Sequence, residues 1–194
     1  MRVVLASKSP RRKQILKDLG VDFEVVTVDT EEYSNAKNPK IFVEDISREK
    51  GRAVLERIDD KEALIISADT VVVLDDKILG KPKDEADAIK MLSDLSGKTH
   101  KVITAISLHF NGKVLTDHSV TEVTFDSIDE DSIKRYVDSK EPMDKAGAYA
   151  VQGKAAVWIK AINGCYFNVV GFPTHLIYDM LNRIDINPFD VLNF

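Results

Sequence analysis

An α/β fold is predicted by three features of the chain. Short, wholly apolar runs alternate with amphipathic helical ones, the alternation persists along the sequence, and two long strand patterns meet at an Asn-Gly turn. The 194 residues are enough for one large domain or two closely packed lobes around a sizeable core. The sequence shows no repeat, low-complexity tract or interdomain linker.

The elements follow in order. Residues 3–5 (Val-Val-Leu) read as a buried strand, and Ser9 and Pro10 then open a helix as N-cap and first helical residue, which Gly20 stops. A second strand is expected at 23–28 and a polar loop at 29–39. A helix is expected at 42–58, with Phe42, Ile46, Ala53 and Val54 on or near one face. Residues 64–68 form a buried strand that 71–74 continue past Asp69 and Thr70, and Asp75-Asp76 turns the chain. Asp84 caps a helix running to Leu95 and ended by Gly97. Strands at 102–110 and 113–125 flank Asn111-Gly112, the signature of a type I′ hairpin. A short helix is expected at 129–137, irregular chain at 139–153, a strand at 155–159 and a final helix at 173–184.

The composition, 44% hydrophobic and 30% charged, is that of a soluble globular protein. A net charge of −5 argues against nucleic-acid or membrane surfaces, which demand widespread positive potential. No run approaches membrane-spanning length, and the first strand is too short for a signal-peptide core. With Cys165 as the single cysteine, no internal disulfide or multi-cysteine zinc site can form; a cytoplasmic location is expected.

Chemistry concentrates where the first strand ends. Ser7, Lys8, Ser9, Arg11 and Arg12 crowd a helix N-terminus, where free N–H groups and the positive end of the dipole already favour an anion. Cations there oppose the dipole unless an anion sits among them, which points to a small, highly charged ligand such as phosphate. Asp69 directly follows an apolar strand, where open α/β sheets gather catalytic groups, although a plain turn aspartate would look the same. Gly80-Lys81-Pro82 either carries a lysine to a ligand or is an exposed turn. Gly97-Lys98-Thr99 imitates the end of a P-loop, but Leu92 stands where that motif needs glycine. Glu31 and Glu32 could join Asp69 around Mg²⁺, or be simply solvated. His100, His109, His118 and His175 show no spacing for a transition metal. Two further stretches, 144–153 and 162–173, combine small residues, glycines and a proline with polar groups; Tyr149 and Tyr166 serve there as core or as stacking partners.

In combination these segments resemble the Maf family of nucleoside triphosphate pyrophosphatases. The matching strings are Leu5-Ala-Ser-Lys-Ser-Pro-Arg-Arg12, Ser67-Ala-Asp-Thr-Val-Val72, Gly80-Lys-Pro82, Ser96-Gly-Lys-Thr-His100, Glu141-Pro-Met-Asp-Lys-Ala-Gly-Ala-Tyr149, Gln152-Gly153 and Asn168-Val-Val-Gly171 with Pro173. They occur in the family order from residue 5 to residue 173; Ala150 stands where the family usually has glycine, and Cys165 falls at a variable position. The resemblance implies a single domain over residues 1–194, an elongated mixed β-sheet flanked by helices in two lobes with a central cleft, as in inosine triphosphate pyrophosphatases. It implies hydrolysis between the α- and β-phosphates with a divalent cation, Mg²⁺ or Mn²⁺, and Ala-Asp-Thr with Asp-Lys-Ala-Gly-Ala-Tyr looks like the dTTP/UTP branch. Carried onto this chain, Ser7 and Arg11 bind phosphate, Lys50 and Lys81 neutralise charge, and Asp69 is the proton acceptor. Asp69 and Glu32 hold the metal, while Arg12, Thr70 and Gln152 match positions that look like specificity determinants. A homodimer is implied. The alternative is a non-catalytic nucleotide- or partner-binding regulator of cell division, which needs the cations but not the carboxylates. A kinase or nucleotidyltransferase is disfavoured by the missing phosphate loop.

Overall fold

The computed structural model describes residues 1–191. Its β-strands form one mixed seven-stranded sheet in the order β2-β1-β3-β5-β6-β7, with β4 paired to β3. The first strand, β1 (Val3–Leu5), is buried on both faces and parallel both to β2 (Glu24–Val25) and to β3 (Leu64–Leu74). The apolar run predicts such burial, since a parallel strand is covered on both sides.

Two compact units emerge from the contacts, one comprising Met1–Asp69, Thr104–Ser119 and residues 171–191, the other Thr70–Ile103 and Val120–Val170. In the first, α1 (Pro10–Asp18) follows β1, and the longer α2 (Pro39–Ile58) packs Val54 against Val4, Ala6, Ala63 and Ile65. The helix starts earlier than its apolar period suggests, because Asn38 caps it by accepting from the Lys40 N–H at 3.0 Å and Pro39 fills the first helical position. The expected strand at 23–28 shrinks to two residues: among the described residues its ladder partner is β1, three residues long.

In the second unit β4 (Lys77–Leu79) returns antiparallel on β3 through Asp75 and Asp76, both at positive φ. Helices α3 (Glu85–Leu95) and α4 (Glu130–Asp138) cover a core of Leu92, Leu95, Val123, Phe125, Ile133 and Tyr149. The caps Asp84 and Asp129 accept from the N–H groups of Asp87 and Ser132. β5 (Thr99–Phe110) and β6 (Lys113–Phe125) turn at Asn111 and Gly112, with φ of 49° and 73°, as a type I′ hairpin requires.

Two expectations are corrected. Residues 154–158 form a 3₁₀ turn rather than a strand, and the strand, β7 (Ile159–Asn163), begins after it. Three-residue spacing places Ala155 and Trp158 against the core and leaves Val157 83% exposed, so an apolar run that imitates a strand is satisfied by a tighter helix. A short helix, α5 (Tyr166–Val170), stands in the Gly- and Pro-bounded stretch, ahead of α6 (Thr174–Arg183). Asn168 holds it: its buried amide donates to the Val102 carbonyl and to Thr121 Oγ1, each at 2.9 Å.

Candidate active site

The parallel pairing of β1 with β3 ends at Leu5 opposite Ile66, and the Ala6 N–H makes the last bond, to Ile66 O. β1 then leaves for α1 while β3 continues. Asp69 and Thr70, three and four residues past Ile66, are half-buried in a strand otherwise buried throughout. This is the carboxyl end of a parallel pair, where the backbone opens and side chains can meet a ligand.

At that opening Lys50, reaching from α2, donates to two carboxylates at once: Asp69 Oδ1 at 2.7 Å and Glu32 Oε1 at 2.8 Å. The Lys50 and Asp69 side chains are 18% and 14% exposed, and that of Glu32 is 49% exposed. Burial pushes the Asp69 carboxyl above its ordinary value; Lys50 and Arg12 pull it back and Glu32 adds to the rise. The result is a carboxylate with raised proton affinity, held in place by an ammonium.

The basic turn at α1 divides its labour. Arg12 is turned inward: Nε donates to Gly171 O at 2.9 Å, and one terminal nitrogen donates to Ala68 O at 2.8 Å and to Ser7 Oγ at 3.2 Å. It thereby ties the helix start to the residue before Asp69, and burial lowers its pKa while Asp69 raises it. Ser7 is buried and also accepts from the Ser9 N–H, so Ser9 is the N-cap by position but makes no capping bond with its own side chain. Arg11 is half-buried and, among the described residues, makes no hydrogen bond or ion pair. The N–H groups of α1 therefore lie beside a cation with no acidic residue in the first turn, an arrangement suited to an anion.

The remaining expected residues lie in the second unit. Thr70 is peptide-bonded to Asp69 on β3. Exposed Lys81 follows Gly80, whose carbonyl accepts from the Gly147 N–H at 3.0 Å, and buried Pro82 anchors the other side. Gln152 is exposed, next to Gly153. A Cβ on Gly153 would lie 1.8 Å from Glu141 Oε1, the atom that accepts from the Lys154 N–H at 2.9 Å. His100 is drawn into the core instead, bonded to the Tyr149 hydroxyl at 2.8 Å with Phe125 edge-on to both rings.

Glu32 and Asp69 meet at a single ammonium, so their oxygens lie within about two hydrogen-bond lengths of each other. Two hard carboxylate donors at that separation fit Mg²⁺ or Mn²⁺ better than a softer metal. A separate group escaped the sequence: Glu44, Asp117 and His118 place one potential ligand atom each within 4.8 Å of one another. They are already engaged, His118 Nδ1 with Glu44 at 2.6 Å and Asp117 with Arg183 at 2.6 Å.

The chain thus combines a mixed α/β sheet, a carboxylate-ammonium cluster past its parallel strands and a cationic helix start. The family described as Maf-like protein matches residues 2–184, and the chain belongs to it. It is 44% identical over 185 residues to a dTTP/UTP pyrophosphatase of Thermoanaerobacter pseudethanolicus, covering 94% of this chain and 96% of that one. It is 45% identical over 190 residues to a dTTP/UTP pyrophosphatase of Clostridium perfringens, covering 96% and 98%. Among solved structures, the Staphylococcus aureus Ham1 protein matches 64% of this chain and 72% of its own at 14% identity, with a TM-score of 0.45.

Proposed function

We propose that this protein hydrolyses nucleoside triphosphates, preferring dTTP and UTP, to the monophosphate and pyrophosphate. The observation that carries the reading is the shared contact of Lys50 with Asp69 and Glu32, in a chain whose relatives are named for this reaction. Asp69, with its raised proton affinity, accepts a proton from water as the water oxygen bonds to the α-phosphorus. The bond from that phosphorus to the bridging oxygen breaks, and the electron pair leaves with pyrophosphate. Lys50, Lys81, Arg11, Ser7 and the start of α1 offset the charge that develops on the phosphates. Glu32 and Asp69 would hold Mg²⁺ or Mn²⁺, which supplies further charge neutralisation when bound. Arg12, Thr70 and Gln152 are read as the determinants of base choice, Gln152 by offering both a donor and an acceptor to a pyrimidine edge.

Hydrolysis of a panel of nucleoside triphosphates in ¹⁸O-water tests this. Pyrophosphate should be the first product, the label should appear in the monophosphate, and dTTP and UTP should lead. Orthophosphate first, or label in pyrophosphate, would overturn the reading.

A further inference from the structure

Beneath Lys50, three contacts dock α2 on the sheet. Ser67 Oγ donates to the Ser47 carbonyl at 2.7 Å, Lys50 meets Asp69 at 2.7 Å, and the buried ring of His109 on β5 lies against Gly51. Ser67 and Asp69 stand two apart on β3 and so point to the same face, while Ser47, Lys50 and Gly51 share one face of α2. The hydrogen bond, the ring contact and the ion pair are thus neighbouring rungs of a single interface.

Gly51 marks where that interface is tightest. A glycine inside a helix weakens it relative to alanine, so its presence calls for a steric reason. Here a Cβ would fall 2.3 Å from His109 Nε2, 2.5 Å from its Cδ2 and 2.8 Å from Ser67 Oγ, distances no real Cβ tolerates. The His109 residue is 2% exposed, so moving its ring means displacing packed neighbours. Among the described residues neither ring nitrogen makes a well-formed hydrogen bond, although the Arg48 backbone on α2 approaches the ring, so packing does most to place it.

We propose that His109 is a positioning residue: seated against the bare face of α2 at Gly51, its ring sets the height of that helix above β3 and with it the contact of Lys50 with Asp69. The proposal rests, for its catalytic consequence, on the functional reading of Lys50 and Asp69 above; the geometric part does not. Substrate never touches His109 in this account. Its effect travels through one residue of helix backbone, from Gly51 to Lys50.

A size-compensation experiment tests it. In Gly51→Ala the helix must rise off the ring. A crystal structure should show Lys50 Nζ beyond hydrogen-bond reach of Asp69, and kcat should fall roughly 10–100-fold with KM changed much less, as expected when a reacting group is displaced by about an ångström. Combining Gly51→Ala with both His109→Ala and Ser67→Ala removes the clashes with the ring and with Oγ, so the contact should return and kcat recover to within about threefold of the parent. A single variant that keeps both the 2.7 Å contact and full kcat overturns the proposal. So does a triple variant that folds and fails to regain them. If the contact opens and closes as expected while Asp69→Asn retains turnover, the positioning stands and the functional reading falls.

Discussion

Lys50 and Asp69 form the most enclosed ion pair of the proposed active site, with 2.7 Å between Nζ and Oδ1 and less than a fifth of either side chain exposed. The pair cannot be neutral in effect. Burial favours a protonated carboxyl and the ammonium an ionised one, and the balance falls toward raised proton affinity. That is the property a general base requires.

Asp69→Asn should cut turnover by roughly 10²–10⁴-fold while nucleotide affinity stays within about tenfold, measured by single-turnover kinetics and calorimetry. Stability should move the other way. Because the folded pKa lies above the unfolded one, the favourable balance is fully present only at low pH and is lost as pH rises through the folded value. The Asn variant should therefore melt no earlier than the parent at pH 7, with the difference closing as the pH is lowered.

Lys50→Met removes the largest influence opposing the burial of Asp69. The acid limb of kcat/KM should shift to higher pH, since the carboxylate then protonates sooner on acidification. An unmoved limb would assign that limb to another group.

Protonation of His100 should weaken the fold at acid pH. Burial lowers its pKa from 6.5 to about 4, so the stability of its neutral form is present above pH 6.5 and is lost as pH falls toward 4. Urea unfolding at pH 7.5 and 4.5 should show the parent losing on the order of 2–3 kcal/mol more than His100→Gln, whose amide can still reach the Tyr149 hydroxyl.

Gly147→Ala is expected to be severe. The residue sits at φ +67° and a Cβ would lie 2.7 Å from Val72 Cγ2. Left-handed strain and overpacking together should cost about 2–4 kcal/mol, a fall in Tm of roughly 5–15 °C. Gly80→Ala is the control: nothing lies within 4 Å of its Cβ, so stability should change by less than about 0.5 kcal/mol.

If Gln152 serves base recognition as proposed, Gln152→Ala should erode a preference for UTP and dTTP over ATP and GTP more than it lowers turnover on the best substrate. Purine triphosphates leading the parent panel would refute the branch assignment alone.

Much of this molecule was legible in its sequence. The apolar period placed β1, β3 and the β5–β6 pair, and local punctuation set their ends: Ser9-Pro10, Asp84 and Asn111-Gly112 each encode backbone geometry within a few residues. Of the proposed site residues, Asp69 and the Ser7–Arg12 cluster stand out in the sequence by their chemistry, an aspartate after an apolar strand and cations at a helix start, whereas Lys50, Thr70 and Gln152 enter only through the family resemblance. What stayed hidden depends on partners distant in the chain. The 3₁₀ turn at Lys154–Trp158 is held through Glu141, and the short α5 through Val102 and Thr121. Arg12 turns inward because carbonyls from residues 68 and 171 meet beside it. The fit of Gly51 to His109 joins residues 58 positions apart, and no local propensity could announce it. Local preference follows from sterics within a turn or two of chain, so it can be read directly; the position of one side chain against another is set by packing between elements, and only the folded protein decides it.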